Sequence, residues 1–180
     1  MFQPREANTR PGGYDRGMAS AERFRPSVTV AAVIEQAGRC LLVEEHTPEG
    51  LRLNNPAGHL EPGETLVQAV VREVLEETAR PFVPEALVGV YLARLPRGSD
   101  TVTYLRFAFH GRAGEPVAGR ALDAGIVRTL WLTADELRAS RPRHRSPLVW
   151  RCVQDYLQGR RYPLELLAAE PGFGADTPPR

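Results

Sequence analysis

Apolar and polar positions change period several times along the chain, and the changes mark its elements. Residues 27–34 and 40–45 are β-branched or apolar runs separated by Gln36, Ala37 and Gly38, which predicts two strands joined by a short turn. A short extended segment follows at 51–56. Pro62 and Gly63 predict a turn, and residues 64–78 carry no Gly or Pro and repeat apolar positions at helical spacing. A helix is expected there, with Thr65 or Glu64 at its N-cap and Pro81 as its stop. Two strands are expected at 86–95 and 101–110 around the turn at 96–100. Another strand is expected at 126–132, a short helix at 134–138 opened by Thr133, and a longer helix at 147–158. Strands outnumber helices and alternate with them, which predicts an α/β (α+β) domain with a mixed sheet covered by helices.

The ends break this pattern. Residues 1–26 mix Pro4, Pro11, Gly12, Gly13, Gly17 and Pro26 with five arginines and have no apolar period, so a mobile N-terminal tail is expected, with Met18 an alternative start. The domain is expected at 27–168 and a C-terminal tail at 169–180, where Pro171, Gly172, Gly174, Pro178 and Pro179 interrupt any regular element.

Composition narrows the function. The 180 residues suit one domain, and 23 basic against 22 acidic residues leave a formal charge of +1, too little field to hold a nucleic acid polymer or an anionic membrane. Every base is arginine. The absence of lysine excludes Schiff-base chemistry and the lysine-bearing phosphate loop. Cys40 and Cys152 have no C-x-x-C partner, no stretch approaches 18 consecutive apolar residues, and no secretory apolar segment opens the chain. A reducing, cytoplasmic setting is expected.

Candidate chemistry concentrates on the predicted helix. At about 100° per residue, Glu73, Glu76 and Glu77 share one arc, with Glu76 about 60° to one side of Glu73 and Glu77 about 40° to the other. Like charges at these spacings each cost roughly 0.2–0.5 kcal/mol, and they sit at the negative end of the helix dipole. Val67, Val70, Val71, Val74, Leu66, Ala69 and Leu75 make most of the remaining surface apolar, so the acids belong to a cleft floor. A hard divalent cation relieves such a cluster, and oxygen ligands of this kind suit Mg²⁺ or Mn²⁺. Glu64 approaches from the preceding loop, and Arg72 is placed to pin a carboxylate or to pair with Glu76. The competing reading is a solvated acidic face neutralised by Arg72 and Arg80.

From Gly58 to Glu77 the chain reads Gly, five residues, Glu64, seven residues, Arg72, Glu73, an apolar residue, one more, Glu76 and Glu77. This resembles the signature of the Nudix hydrolases, which cleave nucleoside diphosphates linked to another group. Ala79 and Arg80 stand where that signature has glycine and an apolar residue. Glycine there suits a left-handed cap, so Ala79 is expected to cost roughly 1 kcal/mol or to shift the helix end. The resemblance extends over about 26–167 to a bacterial phosphatase subfamily, through Pro26, Val28 and Val30, then Asn55, Pro56, Ala57, Gly58 and His59, then Leu105, Arg106 and Phe107, then Arg145, Ser146 and Pro147, and Arg161, Tyr162 and Pro163. A tryptophan expected near Leu53 is absent.

The resemblance implies an αβα sandwich with a curved mixed sheet and a loop-helix-loop catalytic motif. It implies an Mg²⁺-dependent enzyme, with Glu73, Glu76, Glu77 and the carbonyl of Ala57 as metal ligands and Arg72 and Glu64 among the catalytic residues, Glu64 as base or orienter. Its substrates would be small phosphoanhydrides: nucleoside di- and triphosphates, thiamine pyrophosphate or its hydroxymethylpyrimidine precursor. A monomer or homodimer is expected. Arg106 is a candidate phosphate clamp, or else a strand arginine paired with an acid, and Arg145 a candidate phosphate ligand from the start of the last helix. Asp100, Glu115 and Asp123 are further acids without an order of preference. His59 reads as a surface loop residue, His46, His110 and His144 lack metal-ligand spacing, and Trp131 and Trp150 read as core. Two rivals remain: an adenosine diphosphate ribose type of Nudix pyrophosphatase, on the position of Pro96, and a Nudix-like module that binds nucleotide without turnover.

Overall fold

Residues 23–175 are described by a computed structural model, and the expectations for 1–22 and 176–180 lie outside them. Among the described residues, eight strands form two four-stranded sheets. The first runs β5 (Ala57–His59), β1 (Ser27–Val33), β7 (Asp100–Ala113), β6 (Phe82–Arg97), and the second places β3 (Arg39–Thr47) between β8 (Ile126–Thr133) and the strands β2 (Glu35–Gln36) and β4 (Gly50–Asn54). The α-helices among the described residues are α1 (Leu66–Thr78), α2 (Ala134–Ala139) and α3 (Leu148–Leu157).

β1 explains the sandwich. It pairs with β7 in parallel and with β5 antiparallel, and it is buried on both faces, as a near-continuous apolar run requires. Val30, Ala32 and Ile34 pack with Ala69, Val70 and Val74 of α1. Val33 points the other way, with Val149, Cys152 and Val153 of α3. Alternation along one strand thus supplies a core to helices on opposite faces.

The expected hairpin between the first two runs forms only at its tip. Ala37 and Gly38, with φ of 50° and 77°, form the two-residue turn between β2 and β3, and there Gln36 pairs with Arg39 and Glu35 with Cys40. β1 itself leaves for the other sheet, where distant β7 offers it a full ladder. The hairpin expected around 96–100 is longer than the sequence suggested, with Arg97 opposite Asp100 and Phe82 opposite Ala113. Pro96 lies within β6, so its position needs only hairpin geometry to explain it. Trp150 is core as expected, and Trp131 is partly buried, with the Arg80 guanidinium 5.6 Å from its ring centre. The last described residues form turns, and Gln68 Nε2 donates to the Gly174 carbonyl at 2.9 Å, which returns them to α1.

Candidate active site

Local chemistry sets the start of α1. Gly63 takes φ of 87° in the turn after Pro62, and Thr65 caps the helix by accepting from Gln68 N while the Gln68 side chain accepts from Thr65 N, a capping box. The helix ends where the sequence suggested: Ala79 itself adopts the left-handed conformation, φ 55°, so the missing glycine leaves the boundary in place. Arg80 turns away from the acids to the Gly114 carbonyl at 2.8 Å, which removes it as their neutraliser.

Arg72 gathers the cluster. Its Nε and Nη2 reach the two Glu64 oxygens at 3.0 and 2.7 Å, Nη1 reaches Glu73 at 2.8 Å and Glu76 at 3.0 Å, and Nη2 also reaches the His59 carbonyl at 3.0 Å. These partners hold its guanidinium more firmly protonated than usual. One guanidinium is therefore set against three carboxylates. Glu64 has both oxygens engaged, since Oε1 also accepts from Glu61 N at 2.7 Å. Gly58 leaves room for the Glu73 carboxylate, which a Cβ at that position would displace.

Glu77 is arranged differently. It is buried, Oε2 accepts from Ala57 N at 2.8 Å, and among the described residues no arginine pairs with it. Burial, opposed by that N–H and reinforced by the charges of Glu73, Glu45 and Asp123, pushes its carboxyl well above the usual range. Burial also raises Glu73, with Arg72 opposing. Among the described residues no three His, Cys, Asp or Glu side chains are gathered to hold a metal ion. Arg72 occupies part of that space. The donor chemistry nonetheless fits a hard cation: all side-chain donors are carboxylate oxygens, negative charge exceeds positive, and Glu77 carries no cationic partner.

The two candidate arginines act on each other electrostatically. Arg106, on β7, is buried, its Nε and Nη1 meet no acceptor among the described residues, and no acid pairs with it. Burial lowers its hold on the proton, and the charges acting on it include Arg145, Glu77 and Glu45. Arg145 pairs with Glu45 of β3. Of the further acids, Asp123 comes to the site, with its N–H on the Glu76 carbonyl at 3.0 Å and its charge acting on Glu73 and Glu77. Asp100 stays in the hairpin, and Glu115 lies 3.9 Å from Arg80, largely exposed. His110 stacks on Tyr156 at 4.6 Å and His144 contacts Ser140, so neither enters the cluster. Sequence reasoning missed Glu44 and Glu45, two buried acids closing the apolar run of β3, and that juxtaposition was the available signal.

Comparison with known proteins gives a consistent result. A NUDIX domain model matches residues 23–150. Phosphatase NudJ of Escherichia coli K12 is 39% identical over 145 residues, which cover 80% of this chain and 92% of that protein. A NUDIX hydrolase from Nitrosomonas europaea superposes with a TM-score of 0.76 at 52% identity, covering 82% of this chain and 99% of that one. A bifunctional NMN adenylyltransferase/ADP ribose pyrophosphatase from Francisella tularensis, complexed with AMP and a Mn ion, shares the fold with a TM-score of 0.59 at 19% identity, over 77% of this chain and 43% of that one.

Proposed function

The chain belongs to the Nudix hydrolase family and is a hydrolase similar to NudJ phosphatases; we propose that it is an Mg²⁺-dependent enzyme cleaving phosphoanhydride bonds of nucleoside di- and triphosphates, and of thiamine pyrophosphate or its hydroxymethylpyrimidine precursor. One observation carries this reading: Arg72 draws Glu64, Glu73 and Glu76 together while Glu77, buried beside them, is left without a cation among the described residues. A surface helix with a decorative charge cluster would not bury an unpaired carboxylate, whose desolvation is costly.

Glu73, Glu76, Glu77 and the Ala57 carbonyl are the groups proposed to hold the metal, with Mn²⁺ an alternative to Mg²⁺. When bound, the ion neutralises phosphate charge and makes a bound water more acidic. The chain's own residues do the positioning. Arg72 fixes Glu64, Glu73 and Glu76 in one arrangement through a planar fork. Ala57 N–H orients Glu77. Glu64, with both oxygens engaged, orients Arg72 rather than accepting a proton from water. Arg106, a buried cation with free N–H groups, binds phosphoryl oxygen, and Arg145 approaches the same region from the loop before α3. Two buried, unbridged thiols support a reducing cytoplasmic setting.

The test is phosphate release with product identification across nucleoside di- and triphosphates and thiamine pyrophosphate, with Mg²⁺ and with chelator. Turnover that requires the metal supports the reading. Binding without turnover of any of them would favour a non-catalytic module.

A further inference from the structure

Glu44 and Glu45 are adjacent on β3, both buried, and they are balanced differently. Glu44 accepts from Arg128 on Oε2 and from Arg143 on Oε1, so both oxygens are met. Glu45 accepts from Arg145 on Oε2, and its buried Oε1 meets no donor among the described residues. The first is a finished anchor for the loop before α3. The second is half-satisfied.

The Arg145 backbone is held independently of this pair. Its N–H donates to the Leu53 carbonyl at 2.9 Å, and His144 bridges to Leu53. Breaking the pair therefore releases a side chain and leaves the loop in place. That side chain is 51% exposed, whereas the Glu45 side chain is 8% exposed, so the arginine is the mobile partner. Nearby, Arg106 is buried with two N–H positions unmet, and Arg145 is among the charges that disfavour its protonated form. A buried arginine short of acceptors and a half-exposed arginine whose charge acts on it together favour an anion within reach of both.

We propose that Glu45 is an internal competitor for the substrate's phosphate: in the free protein it holds Arg145, and the incoming phosphoanhydride takes Arg145 from it. Glu45 is then a positioning residue that sets affinity without touching the phosphate. The proposal rests on the reading that Arg145 binds phosphoanhydride. Occupancy of the Glu45 pair reduces the fraction of protein ready to bind, and apparent affinity falls by that fraction.

The experiment is calorimetric titration of the full chain with inorganic diphosphate, without metal, for the parent, Glu45→Gln, Arg145→Gln and the double variant. Glu45→Gln should bind about five- to tenfold more tightly, because the competing charge is gone while the shape is kept. Arg145→Gln should bind more weakly, and the double variant should match it, with the gain from Glu45→Gln abolished. In turnover, Glu45→Gln should lower KM, a direction that a merely structural role does not produce. If Glu45→Gln binds no more tightly while Arg145→Gln binds more weakly, the competition is overturned and the phosphate role of Arg145 stands. If neither changes affinity, both fall. Should Glu45→Gln fail to fold, Glu45→Asp, which withdraws the carboxylate by one methylene, is titrated in its place with the same expectation of tighter binding.

Discussion

Arg72 meets Glu64 through two parallel hydrogen bonds, Nε to Oε2 at 3.0 Å and Nη2 to Oε1 at 2.7 Å, and so ties the catalytic helix to the loop before it. The two residues are eight positions apart, Glu64 directly before the Thr65 cap and Arg72 inside α1. Removing one partner of a buried charge network leaves the others uncompensated. Arg72→Met is expected to destabilise the fold by about 3 kcal/mol in urea unfolding, and Arg72→Lys by less, since it keeps the charge and loses the fork. A lysine variant with parental stability and turnover would show that the fork is dispensable.

Glu77→Gln separates chemistry from folding. Turnover should fall by about two or more orders of magnitude, while the melting temperature of the metal-free variant stays equal or rises, because a buried, repelled charge has been removed. Parallel loss of fold and activity would assign Glu77 a structural role.

The pH dependence follows from the same burial. The carboxyls of Glu73 and Glu77 lie above their ordinary 4.5 in the folded chain, so the folded state takes up protons there that the unfolded state does not. Their contribution is fully present below 4.5 and is lost as pH rises through the raised folded values. The metal-free protein should therefore melt higher as pH is lowered from neutrality toward the ordinary carboxylate value, and Glu77→Gln should flatten that rise. Glu44 acts in the opposite sense. Its hydrogen bond to Arg128 holds its carboxyl below 4.5, so its stabilisation is lost as pH falls, and the melting temperature should turn down again in acid.

Ala79→Gly tests the departure from the family signature. Relieving the left-handed alanine gains roughly 1–2 kcal/mol, while losing a buried methyl costs about 0.8 kcal/mol and the freer unfolded chain about 0.4–1 kcal/mol. The effects nearly cancel, and a change within about 0.5 kcal/mol is expected by chemical denaturation. A gain of several kcal/mol would mean that Ala79 strains the helix end.

Much of this site was legible because it is local. The spacing from Gly58 to Glu77, the cap at Thr65 and the stop before Pro81 are all properties of one short segment, and the structure keeps them. Partners brought by the fold were not legible. β1 leaves its neighbour in sequence for β7, and Arg145 finds Glu45 a hundred positions away, contacts that no local pattern encodes. Arg72 lies between these cases. Glu76 at i+4 was foreseeable, whereas simultaneous contact with Glu64, Glu73 and the His59 carbonyl depends on how the loop closes over the helix.

The most direct measurement is calorimetric titration of Mg²⁺ into the full chain and into Glu77→Gln at neutral pH. Saturable binding by the parent, lost or weakened at least about tenfold in the variant, is what a carboxylate-held ion predicts. Equal binding by both, or none by the parent at millimolar metal, would contradict it.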